Sequence, residues 1–341
     1  MILQVGSNSI HVSSYIRALN DRLPEIHLLA EEQCHFKGVA HEWHVSFRSL
    51  DPFSVLRNIR KLRKLLTDLR PDVIHIHQVN RLAYFVTRSA AKLKIPVVST
   101  AWGSDVLLVP KQNAFFRHLV RKSLERSALV TADSHEMIAA MMQLVPVKEK
   151  YVWLQYGIDP VAETEKEKLI YSNRLHKPLY RIDRIVRYFA EFTAQYPEWI
   201  LVIGATGPET IAVEELVEEL GLEDKVVFEG WLDNEQNRSW YAKAAVYVSV
   251  PESDGTSVSV LEAMSAGCIP VLSDLEVSRE WITDGVNGVI EKAGKNPLVD
   301  AMRIDPARCA EMNRQLVAER AERSACIAVF YGLYERLSHA E

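Results

Sequence analysis

Residues 244–273, AAVYVSVPESDGTSVSVLEAMSAGCIPVLS, decide the fold. The run 244–250 is apolar and β-branched and reads as a buried strand. A helical pattern begins at about Ser257 and stops at Gly267, and 268–273 is a second apolar strand. A strand, a crossover helix and another strand make the unit of a parallel sheet. Asp254 sits in the turn before the helix and Glu262 eight positions later, with only Gly255, Thr256 and Ser257 at the turn. This placement has two readings. In one, Ser257 caps the helix, Glu262 lies on the surface and Asp254 belongs to a turn. In the other, the helix N-terminus faces an anion and the carboxylates hold hydroxyl groups beside it.

The same unit repeats outward in both directions. Strand-like runs fall at 1–6, 25–30, 71–77, 95–102 and 127–133, then again at 168–173, 199–205 and 225–230, with helical patterns between. The expected fold class is α/β, with two Rossmann-like doubly wound domains facing across a cleft. The break falls near YGIDP (156–160), before the charged AETEKEK (162–168). The expected domains are 1–160 and 161–318. A final helix within 319–341 is expected to return to the first domain. Ligands of such sheets bind at the carboxyl ends of strands, so the cleft is the expected site.

Composition narrows the class. The chain has 341 residues, 48% hydrophobic and 25% charged, and a net charge of −5. Residues 1–150 hold 21 Lys and Arg against 13 Asp and Glu, whereas 151–341 hold 19 against 32. Cys34, Cys268, Cys309 and Cys326 are scattered without metal-ligand spacing, which fits a reduced cytoplasmic protein. No run is apolar and long enough to span a bilayer. His75 and His77 share a strand face without a third ligand at matching spacing, so packing is favoured and no metal is expected. No GxGxxG fingerprint is present, which disfavours a dinucleotide dehydrogenase.

PDVIHIH (71–77), IPVVSTAWGSD (95–105), YGID (156–159), SNR (172–174), KVVFEGWL (225–232), SDGTSVSVLEAMSAG (253–267) and DGVNG (284–288) occur in this order. Together they resemble the retaining glycosyltransferases of family 4, which have the GT-B fold. The Asp254-to-Glu262 spacing resembles that family's Glu-x7-Glu motif with the first acid shortened. The resemblance implies that Glu262 holds donor ribose hydroxyls and Asp254 contacts the transferred sugar. It also implies that amides around Gly255, Thr256, Ser257 and Val258 take the diphosphate, with Gly230 and Trp231 beside the donor.

Arg174 matches the family's phosphate-binding arginine. Tyr180 falls where the family's lysine would stand, and Lys177 and Arg181 are close by as possible second cations. Trp102 replaces the family's histidine near the donor sugar. It can stack on the sugar or belong to the core, but it cannot transfer a proton. Gly6 stands at the donor phosphates, and Asn8, Ser9, His11 and Asp105 on the acceptor side. The implied catalytic residues are Arg174 and Asp254.

The function implied is transfer of a sugar from a nucleotide-sugar donor, a UDP-sugar rather than a GDP-sugar, to a glycan, lipid-linked or protein acceptor. No cofactor, metal or nucleic acid is expected. A nucleotide-sugar 2-epimerase and a catalytically inactive binding subunit are the rival readings. In 53–70, Leu56, Ile59, Leu62, Leu66 and Leu69 share a face among Arg57, Arg60, Lys61, Arg63 and Lys64. The basic excess there raises peripheral contact with an anionic membrane, while an apolar stripe packed on the sheet is the ordinary reading.

Overall fold

A computed structural model describes residues 1–339 apart from 21, 24 and 50, so the last two positions of the segment 319–341 lie outside the described residues. The chain divides into two compact units, one of Met1–Tyr156 with Arg323–Glu341, the other of Gly157–Glu322. The sequence boundaries at 160/161 and 318/319 therefore move to 156/157 and 322/323. The second shift has a plain cause: the helix Pro306–Ala321 is continuous, and the chain changes unit only where it ends.

The first unit is a seven-stranded sheet of β1 (Ile2–Gly6), β2 (Ile26–Ala30), β3 (Val39–His44), β4 (Val73–His77), β5 (Val97–Thr100), β6 (Leu129–Ala132) and β7 (Tyr151–Trp153). Their order is β3-β2-β1-β4-β5-β6-β7, and every pairing is parallel. The second unit holds β8 (Glu167–Ser172), β9 (Ile200–Gly204), β10 (Val226–Gly230), β11 (Ala244–Ser249), β12 (Ile269–Leu272) and β13 (Val289–Ile290). Their order is β10-β9-β8-β11-β12-β13, again parallel. Both sheets run outward from their first strand in two directions, as in a Rossmann fold. Each has a switch point, between β1 and β4 and between β8 and β11, where neighbouring connections leave on opposite faces.

Three strands escaped the sequence reading. β3 carries His41, Glu42, Trp43 and His44 on an edge, so it lacks an apolar run. β7 and β13 are only three and two residues long.

The helix Arg323–Ser338 closes the first unit. Its Cys326, Ile327, Phe330, Leu333 and Tyr334 are buried with Val12, Tyr15, Ile16 and Leu19 of the helix Ile10–Leu19. A polar seam runs through this core. His75 pairs through Nε2 with the Thr100 hydroxyl at 2.7 Å and through Nδ1 with the Tyr334 hydroxyl at 2.5 Å. His77 donates from Nε2 to Gln4 Oε1 at 2.9 Å, and Nδ1 accepts from the Tyr156 hydroxyl at 2.5 Å. All four ring nitrogens are thus engaged in packing, as the shared strand face suggested.

Burial pushes the His77 pKa down to about 3 and that of His75 well below its usual value. Both histidines are neutral in the fold, whereas the unfolded chain takes up protons near pH 6.5. Their contribution is therefore present above pH 6.5 and is lost as the pH falls towards the folded values. Between pH 6.5 and 5, each should remove up to about 1.4 kcal/mol of stability per pH unit. Urea unfolding of the first unit, followed across that range, should show this slope, and His77→Gln should reduce it by one proton's worth.

Candidate functional site

The carboxyl end of β8 and the carboxyl end of β11 lie side by side at the switch point of the second sheet. Arg174 follows the first and Asp254–Ser257 the second, so the parallel pairing brings together residues eighty positions apart. Arg174 Nη2 donates to Asp254 Oδ2 at 2.7 Å, and Nη1 donates to Ser257 Oγ at 2.5 Å. The Tyr180 ring lies under the guanidinium, 4.4 Å from its carbon. Burial by itself would lower the Arg174 pKa, but the Asp254 carboxylate outweighs it and holds the guanidinium firmly charged. Asp254 Oδ1 meanwhile accepts from the Gly255 amide at 3.0 Å, so both carboxylate oxygens are engaged.

The helix Val258–Ser265 starts here without a side-chain cap. Ser257 has the extended backbone of an N-cap residue, but its hydroxyl turns to Arg174 and makes no capping bond. The capping reading of Ser257 is therefore corrected: its hydroxyl serves Arg174, and the helix presents the positive end of its dipole at Thr256 and Val258. Trp281 Nε1 donates to Thr256 Oγ1 at 3.2 Å and braces the turn from behind. Glu262 is buried in the second turn, which corrects the alternative that placed it on the surface.

The neighbouring cations have other duties. Arg181 donates from Nε to the Val250 carbonyl at 2.6 Å and from Nη2 to that of Pro251 at 3.1 Å, with Glu291 3.5 Å away. It braces the strand end and is not directed at the helix terminus. Lys177 is exposed just before the short turn Pro178–Tyr180.

Behind Arg174, Asn173 is saturated by partners. Its Nδ2 donates to Asn237 Oδ1 at 2.6 Å and to the Tyr241 hydroxyl at 2.7 Å, and its Oδ1 accepts from Tyr247 at 2.9 Å. Tyr171 also donates to Asn237 Oδ1, at 2.7 Å. Sequence reasoning missed this cluster, although Asn173 lies inside the SNR stretch. At the end of β10, Gly230 has a left-handed backbone (φ 66°) and Trp231 is 72% exposed.

The first unit has its own convergence. Gly6 ends β1 where an added Cβ would stand 3.0 Å from both Val12 methyls, so the helix Ile10–Leu19 can pack this close only against glycine. Ser9 caps that helix through the Val12 amide, at 3.3 Å, and Asn8 is exposed. His11 stands edge-on to Trp102, with ring centroids 5.4 Å apart. Trp102 is half-buried and donates from Nε1 to the Tyr156 hydroxyl at 3.4 Å, so it has both a core side and an open side.

Asp105 is buried, with Oδ2 accepting from Val79 N at 2.8 Å and Oδ1 from Trp102 N at 3.0 Å. Burial pushes its pKa up against the pull of these amides. Its oxygens organise the two loops. Asp105 also lines a cavity of about 400 Å³, with Phe47, Arg48, Gln78, Arg81 and Phe116 among others. Gln78 there has a left-handed conformation (φ 85°), strain of a kind that collects at functional loops. Among the described residues, no three His, Cys, Asp or Glu are grouped to hold a metal ion.

Comparison with known proteins agrees with this fold. Residues 2–134 match the family model described as glycosyl transferase 4-like, and residues 159–304 match that of glycosyl transferases group 1. The N-acetyl-alpha-D-glucosaminyl L-malate synthase of Bacillus anthracis is 25% identical over 271 residues, covering 74% of this chain and 69% of that protein. A GDP-mannose:cellobiosyl-diphosphopolyprenol alpha-mannosyltransferase of Xanthomonas oryzae is 26% identical over 235 residues, covering 66% and 61%. Among solved structures, Alr3699/HepE of Anabaena in complex with UDP superposes with a TM-score of 0.80 at 14% identity, over 98% of this chain and all of that one. A glycosyltransferase from Rickettsia africae gives 0.81 at 15% identity, over 100% and 99%. At these identities the structural likeness shows the fold.

The role of Ser257 can be read from a double-mutant cycle. Ser257→Ala should cost almost no unfolding free energy when Arg174 is already alanine, because the hydroxyl serves the guanidinium. Asp233, which forms a capping box with Gln236, is the control, and Asp233→Ala should cost about 1 kcal/mol in either background. A persisting loss of about that size for Ser257→Ala would restore the capping role.

Proposed function

Because the chain is a GT-B glycosyltransferase of the family 4 type, we propose that it transfers a hexose from a nucleoside-diphosphate sugar, with retention at the anomeric carbon, to a glycan, lipid-linked or protein acceptor. One observation carries this reading: Arg174, Asp254 and the uncapped helix terminus at Ser257 converge at the switch point of the second sheet. The bond to be broken joins the anomeric carbon to the diphosphate, and its cost lies in charge growing on the leaving oxygens. A guanidinium and oriented amides already in place supply the largest available stabilisation. They do so without a metal.

Glu262 holds the ribose hydroxyls, and Trp231 gives the base a face to stack on. The donor exchanges with Arg174 for one oxygen of Asp254, which then turns to the sugar. The resemblance to retaining enzymes of family 4 favours front-face attack, with the leaving phosphate accepting the proton of the acceptor hydroxyl. A UDP-sugar is the favoured donor, in keeping with the UDP carried by the Anabaena structure. The acceptor belongs to the first unit, where His11, Trp102 and the cavity beside Asp105 lie along strand ends.

Contact with a membrane completes the proposal. Among the described residues, no helix is long and apolar enough to cross a bilayer. Leu62 and Leu66 of the helix Pro52–Leu69 are buried, but Leu56 is 48% and Phe53 85% exposed. The apolar stripe thus leaves the sheet at its first turn, among Arg57, Arg60 and Lys61. Phe115 is also exposed, in the helix Ala114–Arg126. Aromatic tips among basic residues suit an anionic lipid surface. The diphosphopolyprenol in the name of the Xanthomonas relative fits an acceptor held there.

Glu262→Gln should weaken UDP binding by roughly tenfold or more, the loss of a charge-assisted hydrogen bond. Asp254→Asn should lower turnover while leaving UDP affinity nearly intact, and EDTA should leave activity unchanged. Calorimetry with UDP and product analysis with UDP-glucose check all three, and binding without turnover by the parent would assign a binding subunit. Sedimentation should show the protein on anionic vesicles at low salt and free at high salt. Replacing Phe53, Arg60, Lys61, Arg63 and Lys64 by Ser should release it. A parent protein left in the supernatant would assign a non-membrane acceptor.

A further inference from the structure

A diphosphate carries more charge than one arginine can offset, yet among the described residues Arg174 is the one cation seen bonded to Asp254 and Ser257 at the helix terminus. Arg181 is held by backbone carbonyls and Lys177 is exposed upstream of the turn. Tyr180 occupies the place between them, and its ring lies 4.4 Å below the Arg174 guanidinium.

We infer that Tyr180 is a positioning residue for the transfer step, which fixes the plane of the one guanidinium where a second cation would otherwise add charge. This rests on the donor reading proposed above. The ring covers one face of Arg174, leaving the edge with its N–H groups directed at Asp254 and Ser257. Tyr180 is itself held in place. Its amide donates to the Lys177 carbonyl at 2.9 Å, and the Leu179 carbonyl accepts from the Glu252 amide at 2.9 Å. The next residue, Arg181, grips the carbonyls of Val250 and Pro251. The turn that presents the ring is therefore stitched to the segment that presents Asp254.

When a donor draws Asp254 away from the guanidinium, the edge contact is lost but the stacked face remains. Arg174 then keeps its orientation while the leaving oxygens gain charge. Orientation of this kind acts on the transition state more than on ground-state binding.

The test compares Tyr180→Ala with Tyr180→Phe, using UDP as ligand and UDP-glucose as donor. Tyr180→Ala should lower kcat roughly tenfold with the UDP dissociation constant changed by less than about threefold, and Tyr180→Phe should stay within about twofold of the parent. A parallel measurement needs no donor: nitrogen-15 spectroscopy of the arginine side chains in an Asp254→Ala background, where the edge contact to Asp254 is already gone. In that background, rotation of the Arg174 guanidinium, assigned by its loss in Arg174→Lys, should be slow with Tyr180 or Tyr180→Phe and faster with Tyr180→Ala.

Unchanged rotation in Tyr180→Ala overturns the inference. So does a Tyr180→Ala enzyme with parental kcat, a Tyr180→Phe enzyme as impaired as Tyr180→Ala, or an equal loss of kcat and UDP affinity. If the parent binds no UDP and consumes no nucleotide sugar, the donor reading falls, and the rotation measurement still decides whether the ring holds the arginine.

Discussion

Everything at the candidate site depends on a limit of parallel pairing. β8 and β11 are neighbours, but the segments leaving them turn to opposite faces of the sheet, and neither can cover the gap at their carboxyl ends. Backbone amides and side chains left at that gap must find partners or face solvent. In the second unit one partner is internal: Arg174 crosses from the first segment to Asp254 and Ser257 on the second. Ser257 makes no capping bond to the helix beyond it, so the positive end of that helix's dipole is left at the gap.

Directly behind each gap the core is unusually polar. In the first unit Gln4, His75, His77, Tyr15, Tyr156 and Tyr334 occupy positions where aliphatic side chains would pack more simply. In the second unit Tyr171, Asn173, Asn237, Tyr241 and Tyr247 do the same. A buried hydroxyl or amide left without a partner costs about 1–3 kcal/mol, so such clusters tolerate few alternative arrangements. The gain is definition of geometry. Trp102 is fixed through Tyr156 to His77, and the residue beside Arg174 is fixed to three partners, without either functional side chain being buried in the core.

Much of the fold could be read from the sequence because it is written in apolar runs. Apart from β3 and β7, the strands from Ile2–Gly6 through Ile269–Leu272 stand where such runs stand, and the two bodies follow from their alternation with helices. What escaped had no such signal: β3 is an edge strand of His, Glu and Trp, and β13 spans two residues. At the site, the spacing of Asp254 and Glu262 and the small residues between them singled out the helix terminus at Ser257, where the structure brings Arg174 to Asp254. The pairing of Arg174 with Asp254 could not be read, because it joins residues eighty apart through a sheet register. The duties of Arg181 and Asp105 were hidden for a related reason. Their side chains are used up on backbone groups, and the sequence does not show which backbone groups will lie within reach.

The first unit is discontinuous, and this orders events during synthesis. Residues 157–322 form one uninterrupted body that can close its core as soon as it has emerged. The sheet that emerges earlier still lacks Ile327, Phe330 and Tyr334, and until they arrive Tyr15, Ile16 and His75 have one apolar face open to water. The body begun first is thus the one finished last. For the length of time the ribosome needs to make the intervening 166 residues, its seam is the part of the nascent chain that a chaperone would most readily hold.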